Sequence, residues 1–163
     1  MIVHKVDKII ETAKQFLKQQ PYDLAHGLEH HETVWKLAHD IGIREKVNVD
    51  DALKIAAYWH DVVVSDKKVA LDEREILTKE TCSYLARRLR QDKFDDEFIN
   101  RVIAAIETHS FSCRPVTNEG KLLWDADKLE GLNMDRWQGV LEQFKSGRMI
   151  GENFELYVKA VKV

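Results

Sequence analysis

Apolar residues recur at three- and four-residue spacing along almost the whole chain, and this periodicity limits the fold more than any other feature. Val6, Ile9, Ile10, Ala13, Phe16 and Leu17 form one such stripe, which ends before Pro21. Leu53, Ala56, Ala57, Val63 and Val64 form part of a second, and Ile99, Val102, Ile103 and Ile106 a third. A repeat of this kind places one apolar face along a helix. Only 7 Gly and 2 Pro occur in 163 residues, too few for the many tight turns of a β-protein. The pattern predicts helices over about 2–20, 25–44, 49–63, 71–91, 94–110, 119–131, 133–147 and 151–161. Asn48, followed by Asp51, reads as the N-cap of the third, with an acid in its first turn. Ser65–Val69 and the Pro115-containing Ser110–Asn118 read as loops. With no repeat, low-complexity tract or linker, the expectation is one compact all-α domain over 1–163.

Other classes are excluded by simple counts. The chain is 44% hydrophobic with a formal net charge of −3, so it is neither disordered nor drawn to nucleic-acid polymers or anionic membranes. No apolar run approaches the ~20 residues of a membrane span. The charged start MIVHKVDKIIETAKQFLKQQ is not a signal peptide. Cys82 and Cys113 form no C-x-x-C pair, which points to a reduced, cytoplasmic compartment. Trp137, Phe144 and Phe154 are apolar residues that could pack on the core or join two copies in a homodimer.

The polar residues on the apolar stripes carry the chemistry. His30 lies on the stripe of Val34, Leu37, Ala38 and Ile41. His60 continues Leu53, Ala56 and Ala57, with Asp61 beside it, turned about 100° around the axis. His109 continues Val102 and Ile106, and Asp127 continues Leu123 and Trp124. A single inward His is ordinarily a satisfied core residue. Four elements that each aim an imidazole or a carboxylate inward are a different matter, because a buried carboxylate is costly unless paired or metal-bound. No Lys or Arg shares those stripes. A divalent cation would satisfy the acids and imidazoles together, and this mixed donor set suits Mn, Fe, Co, Ni or Zn.

The order His30, His60-Asp61, Asp127 resembles the HD superfamily of metal-dependent phosphohydrolases. HGLEHHETVWKLAHDIG is similar to that family's first ligand helix, and AAYWHDVVV to its segment ending in the His-Asp doublet. AAIETHSFS followed by WDADKLEGL is similar to a small stand-alone branch of predicted hydrolases of unknown substrate. The likeness spans about residues 22–132. It implies a bundle of six to eight helices with His30, His60, Asp61 and Asp127 ligating a metal, Asp125 being the competing acid. Mg is a further candidate ion, and one or two ions are expected. His109 and His26 could serve a second ion; His31 points away from the ligand face beside Trp35, and His4 and His39 belong to the surface. The branch usually carries a basic residue where this chain has Thr33.

The resemblance implies attack of metal-activated water on a nucleotide or other small phosphoester. Glu73 is favoured over Asp66 as the acid that orients the water, and Lys128 and Lys67 are the leading phosphate contacts. Two alternatives use the same residue types: a di-iron oxygenase of the same fold, and a non-catalytic nucleotide-binding regulatory module.

Overall fold

The structure, a computed structural model, describes residues 2–19, 27–64, 74–110 and 113–147. Seven helices, and no strand, occur among them: α1 Ile2–Gln19, α2 Leu28–Glu45, α3 Asp51–Trp59, α4 Arg74–Gln91, α5 Asp96–Glu107, α6 Asn118–Glu130 and α7 Met134–Lys145. The all-α expectation holds. The expected eighth helix, 151–161, and the expected loop Ser65–Val69 lie outside the described residues.

The centre of the bundle is α3, short and largely buried: Ala52, Leu53, Ile55, Ala56, Ala57, Tyr58 and Trp59 are all interior, and only Asp51 and Lys54 are half-buried. A helix with so wide an apolar face must be surrounded. It packs against α1, α2, α5 and α6, while α2 lies along α6 and α4 along α5. Ile9, Leu53, Leu85, Leu89, Ile99, Ile106 and Leu123 fill the space between. Trp59 anchors one side by donating its indole N–H to the carbonyl of Ile9 at 3.2 Å. Phe16, Trp59 and Tyr84 pack their rings at 5.6–5.9 Å between centroids. Cys82 and Cys113 form no disulfide, and burial pushes the Cys82 thiol up to about 12.

Two expectations for α3 need correction. Its N-cap is Asp50, not Asn48: the Asp50 carboxylate accepts from the N–H groups of Ala52 and Leu53 at 3.0 and 3.4 Å. The helix also stops at Trp59 instead of running to 63. Val62, Val63 and Val64 are β-branched and favour extended backbone, yet on a helical template they prolong the apolar stripe. The His-Asp doublet therefore stands at the helix end. α5 likewise stops at Glu107, which places His109 just beyond its C-terminus. Among the described residues no helix is long and apolar enough to cross a membrane.

Candidate metal centre

Three helix ends and one helix interior bring the inward polar groups together. His30 is in the first turn of α2, His60 caps the C-terminus of α3, His109 follows α5, and Asp127 lies within α6. His30, His60 and His109 are all buried.

Hydrogen bonds fix the face that each ring presents. The Nδ1–H of His60 donates to the Ala57 carbonyl at 2.9 Å, and that of His109 to the Ile106 carbonyl at 2.5 Å. The Nδ1–H of His30 donates to Glu130 Oε2 at 2.7 Å. These partners are acceptors, so Nδ1 carries the proton and Nε2 of a neutral ring presents a lone pair. The Nε2 atoms of His30 and His60 then face each other at 3.0 Å. Asp127 Oδ1 lies 3.5 Å from the first and 3.8 Å from the second. Asp61 Oδ2 lies 3.8 and 3.6 Å from the same two atoms. The other Asp61 oxygen, Oδ1, is 3.3 Å from His109 Nε2.

This is a set of acceptors pointed at one another, which is repulsive unless a positive charge lies among them. His30, His60 and Asp127 each offer one ligand atom, all within 4.8 Å of one another, and together they could hold a metal ion. Ligands bound at the usual ~2.1 Å are separated by roughly 3.0–3.4 Å, close to the nitrogen–nitrogen and shorter nitrogen–oxygen distances found. Imidazole nitrogen and carboxylate oxygen suit a divalent transition metal, and the residues present fit one.

The local electrostatics point the same way. Burial pulls the His60 pKa down, but Asp61 and Asp127 outweigh it, and the net shift is upward. Burial pushes the Asp127 carboxyl up, yet the His60 hydrogen bond and charge, with Lys128, hold it far below the usual carboxylate range. Lys128 Nζ donates to Asp127 Oδ2 at 2.6 Å and to the His109 carbonyl at 2.9 Å. Asp61, Asp127 and Glu130 thus bring three carboxylates to the imidazoles of His30 and His60, with the Lys128 ammonium on Asp127.

Of the residues singled out from sequence, His30, His60, Asp61, Asp127, His109 and Lys128 meet at this place. Asp125, the competing acid, is exposed on another face of α6. His26, Asp66, Lys67 and Glu73 lie outside the described residues, so their expected roles have no geometry to compare. His39 is exposed, as expected.

Sequence reasoning missed two groups. His31 does not point away: it is fully buried, its ring centroid 4.7 Å from that of His60 and 5.1 Å from that of His30. Its Nδ1–H donates to the Gly27 carbonyl at 2.9 Å. The turn after Trp59 brings the His60 ring onto this side of α2, which α2's own periodicity could not reveal. Glu130 is only 5% exposed and holds His30. A signal for it existed: it lies three residues after Asp127, on the same helix face.

The HD domain family model matches residues 27–132, more than half of the chain and all of the histidine and carboxylate cluster. Comparison with curated proteins gave no match. Among solved structures, the fold is similar to that of a predicted HD superfamily hydrolase from an uncultured Thermotogales bacterium. The TM-score is 0.65 and the identity 23%, with 96% of this chain and 88% of that chain covered. At that identity the likeness concerns the fold, whereas the family follows from the sequence match together with the His30, His60-Asp61 and Asp127 order: the chain belongs to the HD-domain family.

Proposed function

We propose that the protein is a metal-dependent phosphohydrolase acting on a nucleotide or other small phosphoester. The observation that carries this reading is the convergence of His30 Nε2, His60 Nε2 and Asp127 Oδ1, with both imidazoles turned lone pair inward. A divalent ion held there, with Asp61 as the fourth ligand, would acidify a water molecule and polarise a phosphoryl oxygen.

The chain's own groups supply the rest. Lys128 holds the Asp127 carboxylate in place and sets a positive charge beside it, where a phosphoryl group would need one. His109 and Asp61 form a pair at the partly exposed edge of the cluster. Because the His109 Nδ1–H is committed to Ile106, Nε2 is the atom that this ring turns toward Asp61 and the cluster. Glu73 and Asp66 are the proposed acids for orienting water, and Lys67 is a second proposed phosphate contact.

Metal analysis of wild type, His60→Ala and Asp127→Ala, followed by assays on nucleotides and an aryl phosphate with Mn, Co, Ni, Mg, Zn or Fe added, tests this directly. The expected result is one or two ions per wild-type chain, lost in both variants together with turnover. Two irons without phosphatase activity would replace the hydrolase by an oxygenase. Tight nucleotide binding without turnover under any metal would replace it by a regulatory module. A wild type that binds no added metal would overturn the metal reading itself.

A further inference from the structure

His60 and His109 obtain their Nδ1 acceptors locally. Each stands at the C-terminal end of a helix, where the last carbonyls have no intrahelical partner, and each uses the carbonyl three residues back. His30 cannot do this. It sits in the first turn of α2, the end at which a helix offers N–H groups and not carbonyls. The nearby Gly27 carbonyl already accepts from the backbone N–H and the Nδ1–H of His31. The acceptor for His30 comes instead from 100 residues away: Glu130, the last residue of α6, at 2.7 Å.

Glu130 is as buried as the histidine it holds. A carboxylate in that position is costly to desolvate unless a strong hydrogen bond compensates, and 2.7 Å is the length of a charge-assisted one. Asp127 and Glu130 are three apart on α6, so one helix face delivers a candidate ligand and the carboxylate behind a second ligand. A carboxylate on Nδ1 makes Nε2 a more basic donor than a peptide carbonyl would, and it locks the ring's tautomer and plane.

We infer that Glu130 is a positioning residue for His30, completing a carboxylate–imidazole–metal relay that neither His60 nor His109 possesses. The inference rests on the metal reading above.

The test compares cobalt(II) affinity, by chelator competition, and the visible cobalt(II) spectrum in wild type, Glu130→Gln and Glu130→Ala. Circular dichroism and melting in chelator report whether each variant folds. Glu130→Gln keeps the shape and an acceptor oxygen and removes the charge. The expected result is a loss of about 10–100-fold in affinity, larger for Ala than for Gln, with shifted ligand-field bands in both. Nitrogen-15 NMR of the wild-type rings adds a readout that needs no variant: His30 should show a protonated Nδ1 with the metal on Nε2. Folded variants with wild-type affinity and spectrum would overturn the inference while leaving the hydrolase proposal standing, whereas a His30 protonated on Nε2 in the loaded protein would overturn the inference and remove His30 Nε2 from the proposed ligand set. A wild type that takes up no metal would bring down both.

Discussion

His30 Nε2 and His60 Nε2 stand 3.0 Å apart, and in their neutral forms both rings present lone pairs there, because each commits its Nδ1–H elsewhere. With Asp61 and Asp127 converging on the same point, the site is repulsive unless a positive charge, a proton on His60 Nε2 or a metal ion, lies among these atoms. Whatever positive charge enters it stabilises the fold as well as equipping the site.

Metal should therefore raise the melting temperature. A cation at 100 times its Kd adds about 2.7 kcal/mol, on the order of 5–10 °C for a chain of this length. The shift should vanish in His60→Ala and Asp127→Ala. It should survive in Asp125→Ala, whose carboxylate is exposed on the same helix. Calorimetry of the four proteins with chelator and with added Mn, Co or Zn decides the matter. A shift that persists in His60→Ala would place the ion elsewhere.

Proton and metal compete for the same atoms, which sets the pH dependence. In the metal-free protein the His60 pKa lies above the ordinary 6.5, since the pull of Asp61 and Asp127 outweighs burial. A group whose folded pKa is raised contributes stability that is fully present below pH 6.5 and is lost as pH rises through the folded value. The metal-free melting temperature should fall on that alkaline side. The metal-loaded protein gains affinity over the same range, because the proton it must displace is already leaving. Melts from pH 6 to 9 should show the gap between loaded and metal-free protein widening with pH; a gap that narrows would remove His60 from the ligand set.

The helices were legible because their stripes are long and nearly free of Gly and Pro. Their ends were not. Val62–Val64 satisfy a helical template and an extended one equally well, so the turn that presents His60 and Asp61 was read as helix. Asp50 and Asn48 are both good caps by residue type, and only the chain path selects Asp50. At the site, His30, His60, Asp61, His109 and Asp127 were legible as polar residues where apolar ones belonged. Glu130 escaped because acids at a helix C-terminus look like surface, and His31 because its environment comes from another helix. In both cases the decisive neighbour is remote in sequence, and periodicity reports only on a residue's own element.

At Gly42, α2 leaves no room for a side chain. A Cβ there would fall 2.3 Å from Val49 Cγ2 and 3.3 Å from Leu122 Cδ1 on α6. Val49 is β-branched and cannot easily rotate away. Gly42→Ala should therefore destabilise by about 1–3 kcal/mol, despite a helix-propensity gain of up to ~1 kcal/mol. Since α6 carries Asp127 and Glu130, any shift of α6 against α2 also moves them relative to His30, and metal affinity should weaken together with stability. Urea unfolding with and without metal checks both effects; a variant at least as stable as wild type would mean that the loop at Val49 yields freely.

Asp50 joins the support of α3 to that of α6. Its carboxylate caps α3 and also accepts from Arg101, whose guanidinium donates to Glu119 near the start of α6. The two roles can be separated. Asn caps a helix about as well as Asp does, so Asp50→Asn removes only the charge, and a part-exposed ion pair is worth at most about 1 kcal/mol. Asp50→Ala removes the cap as well, for a total of about 1–2 kcal/mol, and it loosens the helix whose far end is His60. Chemical denaturation should rank wild type, Asn and Ala in that order, with the larger step between Asn and Ala. Equal losses in the two variants would assign the stabilisation to the Arg101 pair and leave the cap with none.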